Sequence, residues 1–167
     1  PRANGYTWDK IVTDPGVTGY VARGDDDVNY IEPVNNTGSS SISGSGFKTT
    51  GSNLVCEPDI TVSDVLNKAT GATIKNANGT TVTSGNIGTG YTIKYNGTTY
   101  TVVKMGDTNG DGKLTPADST VVLRKYVGLE NISNAANSAA DTNNDGKVTP
   151  ADSTVILRAY VGLQNIE

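Results

Sequence analysis

Acidic and amide side chains alternate along the chain twice in its last third. The first set is Asp107, Asn109 and Asp111, then Gly112 and, further on, Asp118; the second is Asp141, Asn143, Asp145, Gly146 and Asp152. Oxygen donors at this spacing suit a hard divalent cation, which takes about six to eight oxygens and is wrapped by loop positions 1, 3 and 5. Position 6 has to be glycine for the sharp turn, position 7 lends its backbone carbonyl, and position 12 closes the site. Lys113 and Lys147 fall at position 7, where only the carbonyl is used and a cationic side chain does no harm. Thr115 and Thr149 fall at position 9 and can hold a water.

The pattern is that of the EF-hand calcium loop, present twice, so two calcium ions are expected. The departure is at position 12, where Asp118 and Asp152 replace the usual glutamate. Aspartate is one methylene shorter, so closing on the ion with both oxygens requires a tighter loop. Three carboxylates in each loop would repel one another without a divalent ion, so folding there should depend on metal. From 106 to 167 there are eight acidic and five basic residues, a net of −3 that two calcium ions would bring to +1.

Composition removes several other functions. The net charge of −4 and the lack of any Lys/Arg cluster argue against nucleic acid. Histidine is absent, which takes away the commonest general base and transition-metal ligand. No nucleophile elbow, paired-carboxylate or phosphate-loop signature lies outside the calcium loops, so no catalytic residue is expected. The lone Cys56 cannot pair within the chain and reads as a small packed hydrophobe. No stretch approaches the roughly 20 apolar residues of a membrane span. Gly, Asn, Thr and Ser abound, which leans toward a modular extracellular protein, and Pro1 opens no signal peptide, so a mature piece of something longer is expected.

The elements that must position the loops follow from a repeat of period 34. GDTNGDGKLTPADSTVVLRKYVGLENI (106–132) returns as ADTNNDGKVTPADSTVILRAYVGLQNI (140–166), with 21 of 27 positions identical. Each loop runs into an exiting helix, the first over about Pro116 to Val127. Loop 1 is entered from a strand, Thr98 to Met105, and loop 2 from at most two helical turns in Ser133 to Ala140. Val122, Leu123, Tyr126 and Val127, with Val155, Ile156, Leu157, Tyr160 and Val161, show helical spacing wider than one stripe and are expected to be mostly core, with a few left exposed. Upstream, Asn96-Gly97 between alternating Thr, Tyr, Ile and Val predicts a hairpin on a two-residue type I′ turn. Thr61 and Asp64 predict a capping box opening a short helix that ends near Gly71. Residues 53–105 thus read as a small helix-plus-hairpin module and 35–52 as a Gly/Ser-rich linker. Residues 1–34 read as short strands that include Trp8, Tyr20, Tyr30 and Ile31.

Two loop-plus-exiting-helix units with DxNxDGxxxxxD, an Arg and a Tyr in each helix, at the end of a Gly/Ser/Thr-rich chain, resemble a type I-like dockerin. The resemblance covers 106–167. It implies a multi-module fold, small mainly-β modules followed by an all-α dockerin with two F-hand (EF-hand-like) loop-helix repeats. It implies calcium ligands at Asp107, Asn109, Asp111, Lys113, Thr115, Asp118, Asp141, Asn143, Asp145, Lys147, Thr149 and Asp152. The partner implied is a cohesin module on a scaffolding protein. Its contacts would fall on Pro116, Ala117 and Arg124, and on Pro150, Ala151 and Arg158, with Leu123 and Leu157 as apolar anchors beside the arginines. Pro-Ala at loop positions 10 and 11 departs from the residues of many dockerins. GYTWDKI with GVTGYVARG and YIEPV is similar to the closing strands of a bacterial SH3 domain, and 53–105 resembles the small X-like or Ig-like domains that precede dockerins.

The expected function is therefore calcium-dependent attachment of a secreted, polysaccharide-degrading enzyme or surface protein to a scaffold, in either of two orientations. The alternative is a self-assembling extracellular fibre or surface subunit with calcium-stabilised contacts.

Overall fold

In a computed structural model the chain divides into two compact units, residues 1–38 and 39–167. The structure describes the backbone of residues 2–3, 6–13 and 17–23, and residues 41–166 in full. In the first unit, β1 (Arg2–Ala3), β2 (Tyr6–Thr13) and β3 (Val17–Arg23) form an antiparallel sheet in that order, with Trp8 opposite Ala22 and Lys10 opposite Tyr20. The segment around Tyr30 and Ile31, and the expected linker as far as residue 40, lie outside the described residues.

The second unit is built on a seven-stranded mixed sheet of order β4-β5-β6-β10-β9-β7-β8. Its strands are β4 (Ser43–Gly44), β5 (Phe47–Thr50), β6 (Asn53–Cys56), β7 (Thr73–Lys75), β8 (Thr81–Val82), β9 (Thr92–Tyr95) and β10 (Thr98–Lys104). The β9–β10 hairpin turns on Asn96 and Gly97, both at positive φ, 46° and 79°, as the type I′ turn requires. Helix α1 (Val62–Lys68) opens on the Thr61–Asp64 capping box and lies between the parallel neighbours β6 and β10 in the chain. Residues 43–50, inside the segment expected as linker, are paired strands, because Ile42 and Phe47 are apolar anchors buried among the Ser and Gly around them.

Strand β10 is covered on both faces, and this decides the architecture. Tyr100 and Val102 pack with Leu54, Ile93, Val62 and Val65 in one core on the α1 side. Val103 and Met105 point the other way, into a second core with Val122, Ala139, Ala140, Ile156 and Ile166. Those residues belong to α2 (Pro116–Tyr126), α3 (Asn134–Ala140), α4 (Pro150–Tyr160) and the end of the chain. The expectation of small β modules followed by an all-α module from 106 onward is therefore corrected. Residues 39–167 form one unit in which the sheet carries the helices on one face. The reason is apolar area: α2 and α4 bury only Val122 and Ile156 completely among their large side chains, too little for an independent core.

Ile93 is fully buried on the α1 side of the sheet. Truncating it, Ile93→Ala, should cost about 2–5 kcal/mol. In calcium, the denaturant midpoints of a sheet probe and of helix-sensitive circular dichroism should fall together. A shift of the sheet signal alone would mean two independent modules.

Candidate functional site

Loop 1 leaves β10 and enters α2; loop 2 leaves α3 and enters α4. In both loops the backbone amides are spent on the acidic side chains. Asp107 accepts from the Gly110 amide at 2.9 Å and the Gly112 amide at 3.0 Å, Asn109 from the Asp111 amide at 2.9 Å, and Asp111 from the Lys113 amide at 2.8 Å. Asp118, at position 12, accepts from the Thr108 amide at 2.9 Å and from the Thr115 amide at 2.9 Å. Loop 2 repeats the pattern except at its first acid: Asp141 takes Asp145, not the fourth residue of the loop, together with Gly146, while Asn143 takes Asp145, Asp145 takes Lys147, and Asp152 takes Thr142 and Thr149. Asp118 and Asp152 are also the third residues of their helices, so loop closure and helix capping share one carboxylate.

Three of these acids are deep, whereas Asp111 and Asp145 are exposed. Asp107 is 1 % exposed and Asp118 and Asp152 are 0 % exposed. Among the described residues none of the three has a salt bridge; the ion pair that is present, Arg124 Nε to Glu130 Oε2 at 3.2 Å, lies outside the loops. Burial pushes the Asp107 carboxyl up to about 6, against the pull of the Thr89 and Gly112 amides. Buried carboxylates of this kind ask for a cation, so the donor set fits calcium. Among the described residues no three His, Cys, Asp or Glu side chains gather as a ready-made metal cluster. An ion would therefore have to draw on Asn109, Asn143 and backbone carbonyls as well, the donors that oxygen-loving calcium accepts.

The two loops differ in what surrounds them. Against loop 1 lies the segment 86–90, which the sheet holds in place through the Gly90 amide on the Val102 carbonyl at 2.9 Å. The Thr89 amide donates to Asp107 Oδ2 at 2.8 Å, and the Thr89 hydroxyl bonds to the Lys104 backbone. Lys104, 2 % exposed, sends its ammonium to the carbonyls of Gly112 at 2.9 Å and Ile60 at 3.1 Å, and burial holds its pKa below the ordinary lysine value. A Cβ on Gly110 would stand 2.9 Å from the Thr89 carbonyl oxygen, and one on Gly112 3.0 Å from that of Ile87. At Gly146, in loop 2, nothing lies within 4 Å of that position. Two of the six differences between the repeats follow. Position 4 is Gly110 in the crowded loop and Asn144, at φ 57°, in the open one. Gly106 turns at φ 82° out of a strand, where Ala140 ends a helix.

The repeats also meet each other. Ser119 and Ser153, equivalent positions 34 apart, share a buried hydrogen bond of 2.7 Å between α2 and α4. A residue that touches its own counterpart marks an approximate two-fold axis. The exposed surface obeys the same relation: Tyr126 is 57 % exposed and Tyr160 53 %, Leu129 73 % and Leu163 71 %. Leu123 and Leu157, and Val127 and Val161, match likewise. The expectation that most of the helix apolar residues are core is thus corrected, since the helices pack on the sheet through Val122 and Ile156 and leave Leu123, Tyr126, Val127, Leu157, Tyr160 and Val161 exposed. Pro116, Ala117, Arg124, Pro150, Ala151 and Arg158 are all exposed.

Sequence reasoning missed Thr89, Lys104, Ser119 and Ser153. Lys104 had a signal, a charge on the strand face that carries Tyr100 and Val102. The serines had one in being identical, but nothing local says that they meet. Thr89 had none, because its role depends on long-range pairing. Cys56 is buried, with its thiol pushed up to about 12 chiefly by desolvation, which suits a packing residue.

Asparagine tolerates positive φ, so the substitution Gly110→Asn isolates the crowding by segment 86–90. It should destabilise the chain by about 1–3 kcal/mol, whereas Asn144→Gly should change stability by less than about 1 kcal/mol. Urea unfolding in calcium measures both. Equal effects would mean that the two loops share one environment.

Residues 105–160 match the family model of the dockerin type I domain. No curated protein and no solved structure gives a significant match to the chain. The family match carries nothing for the SH3-like resemblance of 1–34 or the X-like, Ig-like resemblance of 53–105. Dockerin domains are calcium-binding, non-catalytic modules that dock onto cohesins, typically in extracellular cellulosomes. Among the described residues no helix is long and apolar enough to cross a membrane. Both calcium-type loops and both exiting helices therefore lie in the segment that matches the dockerin type I domain.

Proposed function

We propose that residues 106–166 dock onto a cohesin module of a scaffolding protein when two calcium ions are bound, and that they do so in either of two orientations. The observation that carries the reading is the paired exposure of two apolar faces about the Ser119–Ser153 contact. Exposed apolar clusters on a small unit mark protein-binding surfaces. Two alike, related by a two-fold, give one partner two equivalent ways to bind.

Asp107, Asn109, Asp111, the Lys113 carbonyl, Asp118 and a water on Thr115 would hold the first ion. Asp141, Asn143, Asp145, the Lys147 carbonyl, Asp152 and a water on Thr149 would hold the second. Each ion answers the buried acids and fixes the start of its helix, which presents the face. Contacts to the partner would come from Pro116, Ala117, Leu123 and Arg124, and from Pro150, Ala151, Leu157 and Arg158. Tyr126, Val127, Leu129 and their counterparts widen each apolar patch. Arg124 is paired with Glu130, whereas Arg158 has Gln164 at the equivalent place. Both partners of that pair reach solvent, so it is worth at most about 1 kcal/mol and does not choose between the faces. The unit would serve to attach a secreted enzyme or surface protein, in the extracellular space, to its scaffold.

Charge reversal on one face, Ala117→Asp with Arg124→Asp, should weaken binding about twofold, the statistical loss of one of two orientations. The pair Ala151→Asp with Arg158→Asp should do the same. All four together should abolish binding, and so should a chelator. Calorimetry against a panel of cohesins reads all of these. Loss of binding with one face intact would reject the dual mode, and calcium-independent binding would reject the docking mechanism.

A further inference from the structure

We infer that the sheet pre-orders the first calcium loop and leaves the second to be ordered by its ion, so that two nearly identical loops fill in sequence, the first at least about tenfold more tightly. The inference rests on the calcium reading above. It extends that reading by assigning Thr89 and Lys104 as positioning residues for one site only.

Within the loops the ligand types match at every position, and the hydrogen bonds match except that Asp107 takes the Gly110 amide where Asp141 takes the Asp145 amide. What packs against each loop from the rest of the chain differs. Asp107 has a third backbone donor, the Thr89 amide, from 18 residues away, whereas Asp141 is held only by amides of its own loop. The turn glycine of loop 1 has its carbonyl held by the Lys104 ammonium and its Cα face against Ile87 and Asn86, whereas Gly146 faces open space. Entry also differs. Loop 1 continues a strand buried on both faces, and loop 2 follows a seven-residue helix of Asn, Ala and Ser that buries only the small side chains of Ala136, Ala139 and Ala140. Ordering a loop costs about 1–2 kcal/mol per residue, and a scaffold that has already met that cost leaves more of the ligation energy as affinity. Rigidity of this kind tunes calcium loops over decades.

One effect opposes this. The Lys104 ammonium is a like charge near an arriving cation. It bonds the carbonyl of Gly112, whose peptide joins directly to Lys113, and so fixes the backbone from which the Lys113 carbonyl would ligate. Removing the charge therefore separates orientation from repulsion.

The test is calcium calorimetry on the full chain after chelator treatment, with Asp111→Ala and Asp145→Ala to assign the sites. Two classes at least about tenfold apart are expected, the tight one lost with Asp111→Ala and the weak one with Asp145→Ala. Lys104→Met should weaken the tight class about tenfold and leave the other unchanged. Equal affinities, a reversed assignment, or tighter binding by Lys104→Met would overturn the inference while leaving calcium-dependent docking standing. Absence of any calcium heat would sink both. Amide exchange of the unmodified chain in chelator gives a readout without substitutions. The amides of Gly110 and Gly112 should exchange at least about tenfold more slowly than those of Asp145 and Gly146, and equal rates would overturn the inference.

Discussion

Six carboxylates, three in each loop, share two short loops, and among the described residues no basic side chain is in ion-pair contact with the deepest of them, Asp107, Asp118 and Asp152. A like-charge pair brought to about 5 Å around a site costs about 3 kcal/mol at an effective dielectric of about 20, a large fraction of the whole stability of an ordinary domain. Backbone amides relieve part of this, and they are aimed at every one of these acids. Amides orient a carboxylate without cancelling its charge. The remainder falls to a divalent ion, and because Asp118 and Asp152 both close a loop and cap a helix, the ion and the helix become one cooperative event.

The two-fold relation of the repeats follows from their near-identity, and the sheet breaks it. α2 and α4 meet through equivalent serines and turn equivalent leucines, tyrosines and valines outward, so the exposed apolar side is nearly symmetric. On the opposite side Val103 and Met105 supply the apolar floor that two short helices lack, and strand β10 can enter only one of the two loops. The larger asymmetry thus lies on the side that meets the sheet, where Gly106 and Gly110 record it in the sequence.

Much of this was legible beforehand because it is local. The loop spacing, the Thr61–Asp64 capping box, the Asn96-Gly97 hairpin and the helix starts at Pro116 and Pro150 each depend on residues within a few positions of one another. What was not legible depends on packing between distant segments. Ile42 and Phe47 lie in a Ser/Gly-rich stretch that reads as linker, yet their burial makes it the edge of a sheet. Helical periodicity placed Tyr126 and Val127 in a core, because periodicity cannot say how wide a stripe the neighbours will cover. The use of both faces of β10 was hidden for the same reason: a strand of Thr, Tyr, Val and Lys reads as half-buried until a second layer is known.

The central claim is that calcium assembles the docking unit, one ion to each loop. Native mass spectrometry of the chain mixed with its cohesin counts ions and partners in one spectrum. The account predicts a one-to-one complex carrying two calcium ions, and free components once a chelator is added. A complex that persists in chelator, or that forms with any other number of ions, would contradict it.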